Sequence, residues 1–116
     1  MAKVYTGCRD ADGVRVTVNG KALDPRLDLQ TLSSSGFEWG YDGGGPAQLA
    51  LAILADHLGD GAAALSQYKT LRSGVIAAIR DDEWSLDSAT IDRALNGIIE
   101  VAMTLDELLD KVRGNR

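Results

Sequence analysis

Residues 36–60, GFEWGYDGGGPAQLALAILADHLGD, decide how the rest of the chain must fold. Phe37, Trp39 and Tyr41 alternate with Glu38 and Gly40, so an extended segment here would carry all three rings on one face. Gly43, Gly44 and Gly45 then open backbone angles closed to other residues. Pro46 suits the first turn of a helix, where its missing N–H loses no partner. From Pro46 to Leu58 only Gln48, Asp56 and His57 are polar, so the helix expected over 46–58 has no wet face and must be buried. It is shorter than the roughly 20 apolar residues that cross a bilayer. It is expected to be the hub of the core.

Upstream, Val14, Val16 and Val18 alternate with Arg15 and Thr17, the pattern of a strand with one buried face. Asn19-Gly20 follows, a strong hairpin signal because both residues accept positive φ. Residues 21–23 are the expected return strand, closed by Asp24-Pro25. Residues 3–6 are β-prone, and 7–13 carry turn chemistry throughout. In the segment 26–35, Leu27 and Leu29 are expected to pack down and Ser33-Ser34-Ser35-Gly36 to be exposed.

Downstream, Gly59 suits a helix C-cap and Asp60 an N-cap. The next helix is expected to run to about Arg80, with Ala64, Leu65, Tyr68, Leu71, Val75, Ile76 and Ile79 as its apolar stripe. Gly74 inside it would mark a close helix crossing. Asp81-Asp82-Glu83 reads as an exposed acidic turn, with Trp84 and Leu86 closing over the core. Asp87 caps a third helical run. In it Ile91, Leu95, Ile98, Ala102, Leu105, Leu109 and Val112 fall at heptad spacing. Asn96-Gly97 and the capping box beginning at Thr104 favour two helices meeting near Thr104, while the β-branched content of 98–103 also suits a strand. The expected fold is therefore α+β, a small antiparallel N-terminal sheet (a β-meander) packed on three to four helices around a buried central helix. It forms one domain over 1–116, with a β-rich part at 1–35, the aromatic and glycine segment with the central helix at 36–60, and a helical part at 61–116.

The composition narrows function. A net charge of −5 with acids and bases interspersed argues against an electrostatic nucleic-acid binder. Cys8 is the single cysteine, so no internal disulfide can form and a reducing cytoplasm suits the chain. No apolar signal stretch follows Met1, and neither a membrane partner nor a cofactor is expected.

The residues GFEWGY and GGGPAQLALAILADHLGD resemble an uncharacterised family of small proteins from bacteria and their phages. The upstream VRVTVNGKALDPRLDL, the Tyr68 helix and Trp84-Ser85-Leu86 fit the same outline, so the resemblance covers roughly residues 3–95. Leu32-Ser33-Ser34-Ser35 departs from the family's more usual His-Ser-Pro loop. The resemblance implies an association with phages and mobile elements, and brings no substrate, cofactor or catalytic residue with it.

Three function classes follow. The first is a non-enzymatic accessory protein that binds a host or phage protein, with antagonism of host defence as its setting. The second is a binder of an anion or nucleotide at the GGGP helix start, through Glu38, Trp39, Tyr41, Gly43, Gly44 and Gly45. A glycine-rich helix start offers free N–H groups to an anion, but GGGP lacks the Lys-Ser/Thr of a P-loop. A tight turn that docks the aromatic segment against the helix is the plainer reading. The third is an enzyme using Glu38 or His57. Glu38 is expected to face solvent or an arginine such as Arg26. His57 has no second histidine for a metal site and does not form an acid–base pair with Asp56, so no catalytic or metal residue is assigned.

The seam at Leu105, Leu109 and Val112 is the expected partner-binding stripe, for a homodimer or a docked protein. Sedimentation of the full chain should then show a dimer that Leu105→Glu/Leu109→Glu converts to a folded monomer. A monomeric wild type with an unfolded variant would place the stripe in the protein's own core.

Overall fold

The computed structural model describes residues 3–96. In chain order it contains β1 (Val4–Asp10), β2 (Gly13–Val18), β3 (Lys21–Ala22), α1 (Gly44–Leu58), α2 (Gly61–Gly74), a 3-10 turn (Ile76–Ala78), β4 (Glu83–Asp87) and α3 (Ser88–Leu95). The fold is α+β. Its four strands are antiparallel in the order β3-β2-β1-β4.

α1 occupies the centre. Residues 45–55 are buried without interruption, and Leu49, Leu51, Ile53 and Leu54 are completely enclosed. The inner face of the sheet supplies Tyr5 and Val16 to the same core, α2 supplies Ala64, Tyr68 and Leu71, and α3 supplies Ile91 and Ala94. Local chemistry sets the ends as expected. Gly59 is left-handed at φ 66°, the Asp60 carboxylate accepts from the N–H groups of Ala62 and Ala63, and that of Asp87 accepts from Thr90 N. Asn19 and Gly20 both take positive φ in the β2–β3 hairpin.

Several expectations need correction. β1 continues through Gly7 and Cys8 to Asp10, and the turn is confined to Ala11-Asp12. Gly7 is there for a ring, since a Cβ would collide with the indole of Trp84, its cross-strand neighbour. The acidic turn ends at Asp82, because Glu83 already belongs to β4, which pairs with β1. The 61–116 part thus also supplies a strand to the sheet. Residues 36–41 are not a strand, since Gly36 and Gly40 take φ of 99° and 93° and turn the chain. The three rings therefore part. Trp39 is 2% exposed, Phe37 half-buried and Tyr41 51% exposed. α2 stops at Gly74, where nothing lies near the Cβ position, so no close crossing exists there. Leu29 packs on the core as expected, whereas Leu27 is exposed. Of the heptad seam, Ile91 is buried and Leu95 half-buried; Ile98, Ala102, Leu105, Leu109 and Val112, and the capping box at Thr104, lie outside the described residues.

One polar residue lies inside α1. Gln48 is fully buried, and its Oε1 accepts from Leu32 N (2.6 Å) and Ser33 N (3.1 Å). Its Nε2 donates to Pro25 O (2.8 Å) and Gln30 O (3.1 Å), so every bonding position of the amide is used. Gln48→Leu should leave four loop groups without partners and lose at least about 2 kcal/mol. Ile53→Ala should lose about 2–5 kcal/mol through the cavity it opens. Urea denaturation checks both. Losses under about 0.5 kcal/mol, the range of surface substitutions, would mean α1 is peripheral.

Candidate functional site

Of the residues singled out at the start of α1, Glu38 and Trp39 meet at Arg9, a residue that the sequence reading passed over. Arg9 stands on β1 in the same alternation as Tyr5 and Gly7, on the sheet's inner side. Its Nη2 donates to Glu38 Oε1 at 2.7 Å, with Nε at 3.2 Å, and its Nη1 donates to Asp82 Oδ1 at 2.8 Å. The guanidinium lies 4.5 Å from the ring centroid of Trp39, a cation–π distance. The bond to Glu38, helped by Asp82, holds the Arg9 pKa above its ordinary value. Arg26, the expected partner of Glu38, is instead clasped to Asp28 at 3.0 Å. Reading residues 7–13 as a turn hid Arg9. The inward alternation of β1 was the signal that would have found it.

Trp39 is spoken for within the core. Its Nε1 donates to Asp81 O (2.8 Å), and it meets Trp84 edge-on at 5.5 Å. The three glycines are places of close approach. A Cβ on Gly43 would strike the Tyr41 ring, one on Gly44 would strike Leu32 O, and one on Gly45 would come 2.7 Å from Glu38 Cβ. Gly43 itself is extended at φ 179°, so crowding and not strain calls for glycine here. Glu38, a carboxylate, thus borders the positive end of α1, where an external anion would otherwise go.

At the other end of α1, Asp56 Oδ2 accepts from the Tyr5 hydroxyl (2.7 Å) and from Lys3 Nζ (3.0 Å). Burial, and then the hydrogen bond to Asp56, push the Tyr5 hydroxyl pKa well above the ordinary tyrosine range. His57 points elsewhere, with Nε2 2.7 Å from Asp92 Oδ1 on α3. Beside Asp56 a cavity of about 300 Å³ opens between the β2–β3 hairpin and α1, with Asp24 and Arg26 on its rim. Cys8, on the sheet's outer face, has Arg15 Nη2 at 3.6 Å. Among the described residues no cluster of three His, Cys, Asp or Glu is arranged to hold a metal ion, and no helix is long and apolar enough to cross a membrane.

A family model described as a family of unknown function, DUF6166, matches residues 5–97. The chain belongs to that family. The matched region runs from β1 to the end of α3, so Arg9, Glu38, Gln48, Asp56 and His57 all fall within it. No curated protein and no solved structure matches the chain.

The buried Tyr5 hydroxyl makes a pH prediction. Its folded pKa lies above the unfolded value near 10, so its contribution is complete below pH 10 and is lost as pH rises further. Between pH 10 and 11 wild-type stability should fall more steeply than that of Tyr5→Phe, by up to about 1.4 kcal/mol per pH unit. Urea midpoints across pH 8–11 measure the difference, and parallel curves would mean that Tyr5 ionises freely in the fold.

Proposed function

We propose that this chain is a non-enzymatic binding protein of the cytoplasm, the accessory protein of a phage or mobile element, and that it antagonises a host defence system by gripping one of its proteins. The observation that carries this reading is the employment of the chemistry-bearing side chains. Glu38 is tied to Arg9, Asp56 to Tyr5 and Lys3, and His57 to Asp92, each bond joining two separate segments of the fold. A general base must instead reach a proton of the substrate. Catalysis by Glu38 or His57 is accordingly the reading that this geometry supports least.

A protein partner is favoured over nucleic acid or a membrane by the net charge of −5 and by the mixed outer face of the sheet, where Thr6, Arg15, Glu83 and Ser85 are exposed. Non-obligate interfaces are about as polar as the rest of a protein surface, so such a face is suited to one. The phage setting is supported by the GFEWGY and GPAQLALA resemblance. Affinity capture from host lysate, with proteins and small molecules both identified by mass spectrometry, tests the reading. A single host protein retained in near-equal amount supports it, and a small molecule retained without protein would replace it.

An anion or nucleotide at the start of α1 is the second reading, favoured by the exposed Tyr41 beside Gly43 and Gly45 and opposed by the neighbouring Glu38 carboxylate. Phosphate or a nucleotide should then raise the Tm in a concentration-dependent way, and less in Tyr41→Ala. A substitution at Gly44 cannot serve, because it displaces the Leu32 carbonyl whether or not an anion binds. No shift across an anion panel would leave the glycines with their packing role alone.

A further inference from the structure

β4 ends the sheet, and among the described residues no strand lies beyond it. The register shows what that edge offers. Arg9 N donates to Asp82 O (2.8 Å), and Ser88 N donates to Lys3 O (3.0 Å), which marks bonded pairs at the two ends of the β1–β4 ladder. In an antiparallel ladder bonded and non-bonded pairs alternate. Gly7–Trp84 and Tyr5–Leu86 are therefore the bonded pairs between them. The N–H and C=O groups of Glu83 and Ser85 point away from β1, out of the sheet, and both residues are exposed.

The chemistry beside this edge is one-sided. Residues 81–87, DDEWSLD, carry four carboxylates and no base. Asp82 is paired with Arg9, while Asp81, Glu83 and Asp87 have no ion-pair partner among the described residues. A second copy pairing antiparallel about Ser85 would set Glu83 of each copy opposite Asp87 of the other. Like charges directly opposite destabilise a ladder. The acids thus close the edge to self-pairing, a common protection of exposed strands. The same acids are complementary to a basic strand. Glu83, Ser85 and Asp87 face outward, while Trp84 and Leu86 face the core and remain half-buried, so apolar residues laid beside them would extend their cover.

We propose that the outer edge of β4 takes an extended segment of a partner protein as a fifth strand. The segment carries lysine or arginine opposite Glu83 and Asp87 and apolar residues opposite Trp84 and Leu86. In antiparallel pairing this is a base, an apolar residue, any residue, an apolar residue and a base in succession. Backbone bonds supply the affinity and the alternating side chains the selectivity. The inference rests on the protein-contact reading above and says where and with what that contact is made.

The test uses the ¹⁵N-labelled full chain and three capped peptides with cores KVTVK, EVTVE and KVPVK. KVTVK should slow hydrogen exchange at the Ser85 amide and shift the signals of 83–87, with EVTVE and KVPVK binding about tenfold more weakly or worse. Ser85→Pro removes an outward N–H and no ladder bond, so it should keep the fold and weaken KVTVK about tenfold or more. Should that variant fail to fold, Glu83→Lys serves instead and should turn the preference toward EVTVE. Shifts centred elsewhere, equal binding by Ser85→Pro, or no saturation at millimolar KVTVK would overturn the proposal. Ser85 protection without peptide would also overturn it, assigning the edge to a second copy if it grows with concentration and to the chain's own tail if it does not. Repeating the lysate capture with Ser85→Pro separates the two inferences. A host protein held equally by variant and wild type removes the edge and leaves the protein-contact reading standing, whereas no protein held by wild type removes that reading and leaves the peptides to judge the edge.

Discussion

A helix buried on every side tolerates a polar side chain only where all of its hydrogen bonds are made, and Gln48 meets that condition against a loop with no regular structure of its own. The dependence runs both ways. Residues 24–33 form no ladder, so Pro25 O, Gln30 O, Leu32 N and Ser33 N would be stranded against the helix without the Gln48 amide. With it, the loop can lie so close that Leu32 O fills the place of a Cβ on Gly44. Asp24 supports the same path by accepting from Arg26 N, where the chain passes through the left-handed region at φ 56°. One amide thereby decides which segment covers α1, and the glycine at the start of the helix follows from it.

Arg9 plays the matching part between the sheet and the aromatic segment. Its partners Glu38, Asp82 and Trp39 come from two stretches of chain far from β1 in sequence. The Arg9 side chain is one-third exposed, and that of Asp82 is more open still, so solvent screens these ion pairs and their individual energies are modest. Geometry matters more than strength here. A planar fork that meets a carboxylate and lies over an indole sets the orientation of Trp39, and Trp39 in turn meets Trp84 above the gap left by Gly7. Lysine could supply the charge but not that fork.

What was legible in the sequence was local. The apolar run of α1, the caps at Gly59, Asp60 and Asp87, and the Asn19-Gly20 turn are each settled by neighbours a few residues away, and each stands where expected. What was missed depends on residues remote in the chain. Gly7 looked like a turn residue because its reason, the Trp84 ring, is on another strand. β4 has a clear period of two in its burial, but its acidic composition resembles a solvated turn. Phe37, Trp39 and Tyr41 have the spacing of a strand, yet spacing is silent about whether the intervening glycine takes positive φ, as Gly40 does while donating to Ile76 O. Of the candidate residues, Glu38 and Trp39 are brought together at Arg9, whose place on β1 the sequence reading missed.

Within GFEWGYDGGGPAQ, Trp39 belongs to the core, Glu38 to Arg9, Gly44 and Gly45 to close backbone approaches, and Gln48 to the loop. Tyr41 is the exception, half exposed with its ring over Gly43. A stretch this specific in sequence invites an active-site interpretation, but its specificity is accounted for by packing and hydrogen bonding. Residues whose side chains are committed inside the fold cannot also meet a partner without the fold opening. Surfaces that packing leaves undetermined are free to meet one. Among the described residues the polar outer face of the sheet and the edge of β4 are such surfaces; there Asp82 is tied to Arg9 and Asp87 caps α3, while Asp81 and Glu83 have no ion-pair partner.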